Sequence, residues 1–451
     1  MSTAPAEAVP QASPAEKGLL ERLLSPIADV HEGEALGALL MSATMFLLLG
    51  GYYLLKTARE SFILSEGGAE VKSYSSAGQA LVLLVLVPLY GKLASRVNRL
   101  QLVQWVTLFF ASNLVLFLLA IGAGMRVGVI FFLWTGIFNV MVIAQFWGYA
   151  ADLYTEDQGK RLFPLIGVGA SLGAWLGAVR AGQLVTGFGS GRLLAAGAII
   201  LLFCVALARV VDKVTVRGVR TGGRVDERLK EGPSGFTMLL ADRYLTLMAL
   251  FVLLLNVVNT SGEYLFGRYV VQAANAALGS GPQAEAARET FIGETYSSYF
   301  GYVNLIGFLL QMFVVSRVFK WVGVSRAVFI HPLVALAGYV GMLWGPSFQF
   351  VRLLKIADNS LDYSLGNTTK QALWLPTSRE AKYKAKQAVD SFCMRAGDVL
   401  QAGVVYSGEL VSLSVSGFAA LNVLFALGWL GAAGGLNKRL RAKTGAEGTA
   451  L

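Results

Sequence analysis

Tyr52–Leu64 reads YYLLKTARESFIL, with Lys56, Arg59 and Glu60 set in a run that is otherwise apolar or neutral. If a membrane helix ends near Leu55, the three charges reach back to lipid headgroups and the helix is a simple anchor. If the helix continues, Tyr52, Lys56, Arg59 and Glu60 fall on one stripe at helical spacing, facing the inside of a bundle. The apolar SFIL that follows the charges favours continuation. The chain then has to fold as several helices around a polar interior.

The rest of the sequence supplies those helices. Its 451 residues are 55% hydrophobic and 15% charged, and apolar blocks of spanning length recur from Leu36 almost to the end. A soluble protein of this size would need more charged surface. Segments of about 20 residues start near residues 36, 74, 100, 126, 160, 190, 243, 291, 321, 346, 387 and 416. The expected fold is an all-α polytopic membrane protein of about twelve transmembrane helices in two six-helix pseudo-repeats. The halves are separated by DKVTVRGVRTGGRVDERLKEGPSG, Asp212–Gly235. The expected organisation is a disordered start with an amphipathic cytoplasmic helix (1–34), a first bundle (35–211), a basic linker (212–241), a second bundle (242–436) and a basic tail (437–451). No cleavable leader is expected.

The net charge of +10 does not point to nucleic acid, because the basic residues are spread over short loops. Every even connection is basic: Lys92, Arg96 and Arg99 after the second segment, Lys160 and Arg161 after the fourth, Arg317, Lys320 and Arg326 after the eighth. By the positive-inside rule both termini are cytoplasmic, in a bacterial inner membrane. GKLASRVNR (Gly91–Arg99) and SRVFKWVGVSR (Ser316–Arg326) stand at matching places in the two halves, a major-facilitator-like feature. Cys204 and Cys393 lack metal or redox spacing, and His31 and His331 are too few and too far apart for a metal site. With no GxxxxGK[ST] loop for ATP hydrolysis, neither a cofactor nor an enzyme is expected, and the driving force is a gradient.

Charges inside spans each cost about 2.5 to 3.5 kcal/mol at mid-membrane, so those present mark function or pairing. Besides Lys56, Arg59 and Glu60 with the neighbouring Tyr53, the fifth segment holds Arg180 beside Gly169, Gly173 and Gly177, whose four-residue spacing permits a close helix contact. The seventh holds Asn256, Glu263 and Arg268. The tenth, VRLLKIADNSLDYSLGNTTKQALWLP, holds Lys355, Asp358, Asp362, Tyr363, Asn367 and Lys370 and belongs beside a water-filled cavity. In the eleventh, Arg395 and Asp398 form either a salt bridge or a proton-coupling site. Inward cations and aromatics suit an anionic organic substrate: Lys56, Arg59, Arg180, Asn256, Arg268, Asn367 and Lys370 to bind it, Tyr53 and Tyr363 to contact a ring, and Glu60, Glu263, Asp362, Arg395 and Asp398 to balance charge or couple protons.

Four stretches in order then carry a family resemblance: YYLLKTARESFILSEGGAEVKSY, QFWGYAADLYTEDQGKRLFPLIGVGA, YSSYFGYVNLIGF and DYSLGNTTKQALWLPTSREAKYKAKQAVD. From about Leu36 to Leu436 the chain resembles the ATP/ADP translocases, or nucleotide transporters, of plastids and obligate intracellular bacteria. The resemblance implies a major-facilitator-like twelve-helix fold and either ATP/ADP exchange or proton-linked nucleotide uptake. It also implies that Arg59 stands at a functional lysine position with Glu60 as its acid, that Glu263 is the acid of the seventh helix, and that Lys370 is a functional lysine. Thr135 stands where the family has glutamate, and Asp362 where the exchangers have lysine. The expected protein is a monomeric secondary transporter of a nucleotide or related anionic metabolite. Alternatives are a proton-coupled carrier of a non-nucleotide solute and a non-transporting membrane scaffold.

Overall fold

Lys56, Arg59 and Glu60 do not end the first helix. In the computed structural model, which describes residues 19–24, 30–31, 33–94, 99–215, 234–279, 281–378 and 380–446, a short α1 (Leu19–Leu24) precedes α2 (Ala35–Ala94). α2 is interrupted only at Gly68, whose φ of 71° and ψ of −172° are open to glycine and strained for residues with a Cβ. It is therefore two helical arms joined at a glycine corner. The charged stripe lies some two turns before that corner.

α3 (Arg99–Gly122), α4 (Gly128–Leu153), α5 (Glu156–Phe188) and α6 (Gly191–Thr215) complete the first half. The second half runs through α7 (Gly235–Ala241), α8 (Arg243–Leu278), α9 (Glu285–Phe313), α10 (Val315–Val322), α11 (Val324–Ala327), α12 (Ile330–Met342), α13 (Phe348–Leu361), α14 (Asn367–Ala372), α15 (Lys386–Ala388), α16 (Met394–Leu410) and α17 (Val415–Ala446). There is no strand among the described residues. Eight of these helices are long and apolar enough to cross a membrane, nine if Glu285–Phe313 and Val315–Val322, bent by 46°, are one span. Counting α2 as two arms and adding the polar paths through α13–α14 and α15–α16 gives the twelve expected passes. Those two polar paths contain wide π-helical turns, Asp362–Gly366, Ala381–Ala385 and Val389–Cys393.

The glycine spacing in α5 fixes how the first half packs. A Cβ on Gly169, Gly173 or Gly177 would lie 2.4, 2.1 and 2.4 Å from the backbone oxygens of Ser42, Phe46 and Gly50. α5 and the first arm of α2 thus meet backbone to backbone. Across the halves α5 packs on α9 and α2 on α16. These contacts concentrate at the end that holds the Gly68 corner. Ser73 donates to Gln401 over 2.5 Å, Ser297 to the Ala178 carbonyl over 2.7 Å and Thr186 to Glu294 over 2.7 Å. At the opposite end, a cleft of about 590 Å³ separates Leu83, Leu84 and Val87 from Phe236, Phe392 and Arg395.

At that same end Leu24 of α1 packs with Val30, Ala35, Ala38, Leu162 and Leu165. Arg161 donates to both carboxylate oxygens of Glu34, at 2.9 and 3.0 Å, and Gln158 adds a bond of 3.0 Å. Burial opposes the Glu34 charge, yet the Arg161, His31 and Gln158 hydrogen bonds prevail and hold its carboxyl down to about 2. The expected disordered start before residue 19, most of the basic linker (216–233), the 95–98 part of GKLASRVNR and the end of the tail (447–451) lie outside the described residues.

Candidate functional site

Because the first arm of α2 continues past Leu55, its polar stripe meets α8, α9 and α13 across the plane between the halves. There it walls a cavity of about 220 Å³, lined by Lys56, Arg59, Glu60 and Lys72 from the first half and by Asn259, Glu263, Phe300, Asn359, Tyr363 and Asp398 from the second. The wall is a continuous chain of charge. Arg59 donates to Glu60 (Nε to Oε1 3.1 Å, with a second bond from Nη2). Lys72 lies 2.7 Å from the other Glu60 oxygen and 3.6 Å from Glu263. Lys355 stands 3.6 Å from Glu263 and 3.0 Å from Asp358, and donates to Asn259 over 2.9 Å. Glu263 also accepts from Tyr299 and Asn359, over 3.0 and 2.8 Å.

Three cations and three carboxylates thus pair off, and Glu60, Asp358 and Lys355 are 1, 3 and 0% exposed. Removing one member of such a buried set leaves its neighbour uncompensated. Lys56 differs: among the described residues it forms no ion pair. Its Nζ reaches the Tyr363 hydroxyl at 3.4 Å and sits 4.3 Å from the Phe300 ring centre and 5.2 Å from that of Tyr53. A lysine held by π-faces keeps its charge available to an incoming anion. Tyr53 packs edge-on against Phe300 just behind it.

Several expected site residues are not brought to this cavity. Arg180 is exposed, two turns inside α5, and donates to Gln183, 2.7 Å away on its own helix. Arg268 stands at the closed end, where it bonds Glu409 (2.9 Å) and the Tyr264 hydroxyl (3.1 Å) and lies 3.6 Å from Glu70 of the first half. It clamps the two halves where a substrate contact was expected. Asn256 donates to the Met394 carbonyl (2.6 Å) and to Asp398 (2.8 Å), tying α8 to α16. Arg395 and Asp398 form the internal pair, at 3.5 Å. Asn367 is exposed and Lys370, half-buried, feels the charge of Asp390; neither lines this cavity. One Asp362 oxygen is buried without a partner among the described residues.

Sequence reasoning missed Lys72, Tyr299, Asn359, Glu70 and Glu409. Lys72 follows the glycines of SEGGAEVK and reads as a loop residue. The available signal was that helical spacing resumes immediately after Gly68 and returns Lys72 to the face of Glu60. Among the described residues no group of three or more His, Cys, Asp or Glu could hold a metal.

No family model matches the chain. Among curated proteins it is similar to ADP,ATP carrier protein 1 of Chlamydia muridarum (strain MoPn / Nigg), at 25% identity over 352 residues, 68% of this chain. The match takes in 64% of that relative, so the chain spans less than two thirds of the relative's own length. Among solved structures it superposes on a bacterial homologue of the iron transporter ferroportin in an inward-facing state, with a TM-score of 0.60, 13% identity and coverage of 88% of this chain and 98% of that one. The nucleoside transporter NupG gives 0.59, 12%, 88% and 98%. The fold is that of major-facilitator-type transporters, and within that fold the sequence likeness is to ADP,ATP carrier proteins.

Proposed function

We propose that this chain is a secondary transporter that moves a nucleotide or a related anionic metabolite by alternating access. The observation that carries the reading is the cavity between the halves, whose wall, among the described residues, is charge-paired except at Lys56. An anion entering it meets one available ammonium and the rings of Phe300 and Tyr363 around it, a pairing suited to phosphate beside a planar base. Arg59, Lys72 and Lys355 become further phosphate partners when a substrate competes with Glu60 and Glu263 for them. The likeness to ADP,ATP carriers supports the nucleotide class. Loop charges support a cytoplasmic position for both termini, in an inner membrane. On that reading the open cleft faces the cytoplasm and the Arg268 clamp faces outward.

The test is uptake of labelled ATP, ADP, GTP and NAD into proteoliposomes, with and without internal nucleotide. At least one of the four is taken up by the wild type. Lys56→Ala raises its KM tenfold or more, corresponding to about 1.4 kcal/mol of lost binding, while Arg180→Ala, exposed and outside the cavity lining, stays within twofold. No uptake of any of the four overturns the nucleotide reading, and an equal effect of the two substitutions overturns the placement of the site.

A further inference from the structure

Two asparagines meet Lys355, and only one of them is fully used. Lys355 spends its three N–H groups on Oδ1 of Asn259 (2.9 Å), on Asp358 (3.0 Å) and on Oδ1 of Asn359 (3.2 Å). Asn359 also spends its amide nitrogen, on Glu263 at 2.8 Å and on the Tyr299 hydroxyl. Asn259 spends only its oxygen, and its Nδ2 makes no hydrogen bond among the described residues. An ammonium can only donate, so the atom that Asn259 turns to Lys355 must be its oxygen. Lys355 is 0% exposed and lies behind the cavity lining, whereas Asn259 is half-buried and part of that lining. With the oxygen drawn back to the lysine, the N–H groups of the same amide are left to the cavity. Gly262 makes this possible: a Cβ there would lie 2.0 Å from the Tyr339 hydroxyl and 3.1 Å from Lys355 Nζ, so the bare backbone of NTSGE lets the lysine close on α8.

The neighbours of Asn259 decide what those N–H groups suit. Glu263 follows one turn later on the same face of α8 and lines the same cavity. A phosphate oxygen brought to Asn259 would be set against that carboxylate, and phosphate has charged donors in Lys56 and Arg59 of the other half. An uncharged acceptor meets no such conflict. A side-chain amide is a natural partner for a ring nitrogen on the edge of a base, and Phe300 and Tyr363 of the same lining offer the ring a flat face.

We propose that Asn259, held by Lys355, is a specificity-determining residue that donates from Nδ2 to an uncharged ring acceptor of the substrate's base. Lys355 is then its positioning residue: it fixes which end of the amide faces the substrate without touching the substrate through that bond. A ligand that lacks the acceptor leaves the amide donor unpaired on binding, which is how a hydrogen-bonding site discriminates more sharply than an apolar one. The proposal deepens the transport reading and rests on it for the presence of a base, and its test separates the two.

The purified full chain is titrated calorimetrically with ATP, with its 1-deaza, 3-deaza and 7-deaza analogues, in each of which C–H replaces one ring acceptor, and with inorganic tripolyphosphate. The wild type is expected to bind ATP at least about tenfold more tightly than one of the three analogues. In Asn259→Leu that ratio falls to about one, while tripolyphosphate binds as it does to the wild type. Asn259→Asp keeps an oxygen on Lys355 and puts an acceptor where the donor was, so its preference inverts and the same analogue binds more tightly than ATP. An asparagine that only held α8 to α13 would not reverse the order. Equal affinity for ATP and all three analogues in the wild type overturns the proposal and leaves nucleotide transport standing. So does tripolyphosphate binding that falls together with ATP binding in Asn259→Leu, since the donor then serves phosphate. Should Asn259→Leu fail to fold, Asn259→Asp decides, and an uninverted preference there overturns the proposal. A wild type that binds no ATP also overturns it, and the uptake of the four labelled nucleotides then decides separately whether the transport reading stands.

Discussion

In the first half α5 lies on α2 with glycine against backbone, joined by a hydrogen bond from Ser42 Oγ to the Leu165 carbonyl at 3.0 Å. In the second half the equivalent work falls to α13, α14 and α16, whose paths are broken by π-turns and held to α8 by side-chain contacts such as the Lys355–Glu263 ion pair and the Asn256–Asp398 hydrogen bond. Backbone packing tolerates no change of distance, whereas a charge pair can be exchanged for another of similar energy. The first half is built as a fixed wall that presents Lys56 and Arg59. The second carries groups whose partners can change, which is what the proposed alternating access requires of it.

The comparison breaks first if the glycine seam is not rigid. Gly173→Val would put a Cβ 2.1 Å from the Phe46 carbonyl and is expected to cost more than about 4 kcal/mol, read as loss of monodisperse protein after extraction. Gly187→Val, on the same helix with nothing within 4 Å of its Cβ, should leave the yield unchanged. Next is the charge chain: Lys355→Met strands Asp358 and should destabilise by about 3 to 5 kcal/mol, seen as a fall in Tm. Most of that loss should return in the double variant Lys355→Met, Asp358→Asn; if it does not, the pair is not exchangeable and the contrast between the halves fails.

The Glu34 clamp gives a smaller, pH-dependent effect. Its folded carboxyl is held at about 2, below its ordinary value of 4.5. Its stabilisation is therefore complete above about pH 4.5 and is lost as the pH falls through about 2. Glu34→Gln should cost about 1 kcal/mol at pH 7, discounted for solvent, with the Tm gap to wild type closing between pH 4.5 and 2. Smallest is Glu70→Gln, expected to shift the balance at the closed end by less than about 1 kcal/mol. Spin labels at the exposed positions Met125 and Trp344, in a chain with Cys204 and Cys393 replaced by Ala, should report a growing longer-distance population.

Much of this was legible in the order of residues, for local reasons. SFIL after Glu60 carried the helix onward, and the spacing of Gly169, Gly173 and Gly177 announced a close contact. What was not legible depended on partners distant in sequence. The bond from Arg268 to Glu409 spans 141 residues and that from Asn256 to Asp398 spans 142. Periodicity places such residues on a face and is silent on what that face meets. Arg180 shows the same limit, since its apolar neighbours suit an inward cation as well as one reaching outward. Lys72 was hidden by Gly68, because a corner made by one glycine has the composition of a loop and the geometry of a hinge between two helices.

Lys72 also has a consequence for the rhythm of the cycle. Its ammonium is shared by Glu60, in its own half, and Glu263, in the other. Rocking the halves apart must sever the second contact, and with nothing aboard it would leave Glu263 to share Lys355 with Asp358. On the proposed transport reading the unloaded return stroke is then the slow one. Radiotracer entering vesicles preloaded with cold ligand should outpace entry into vesicles that hold none.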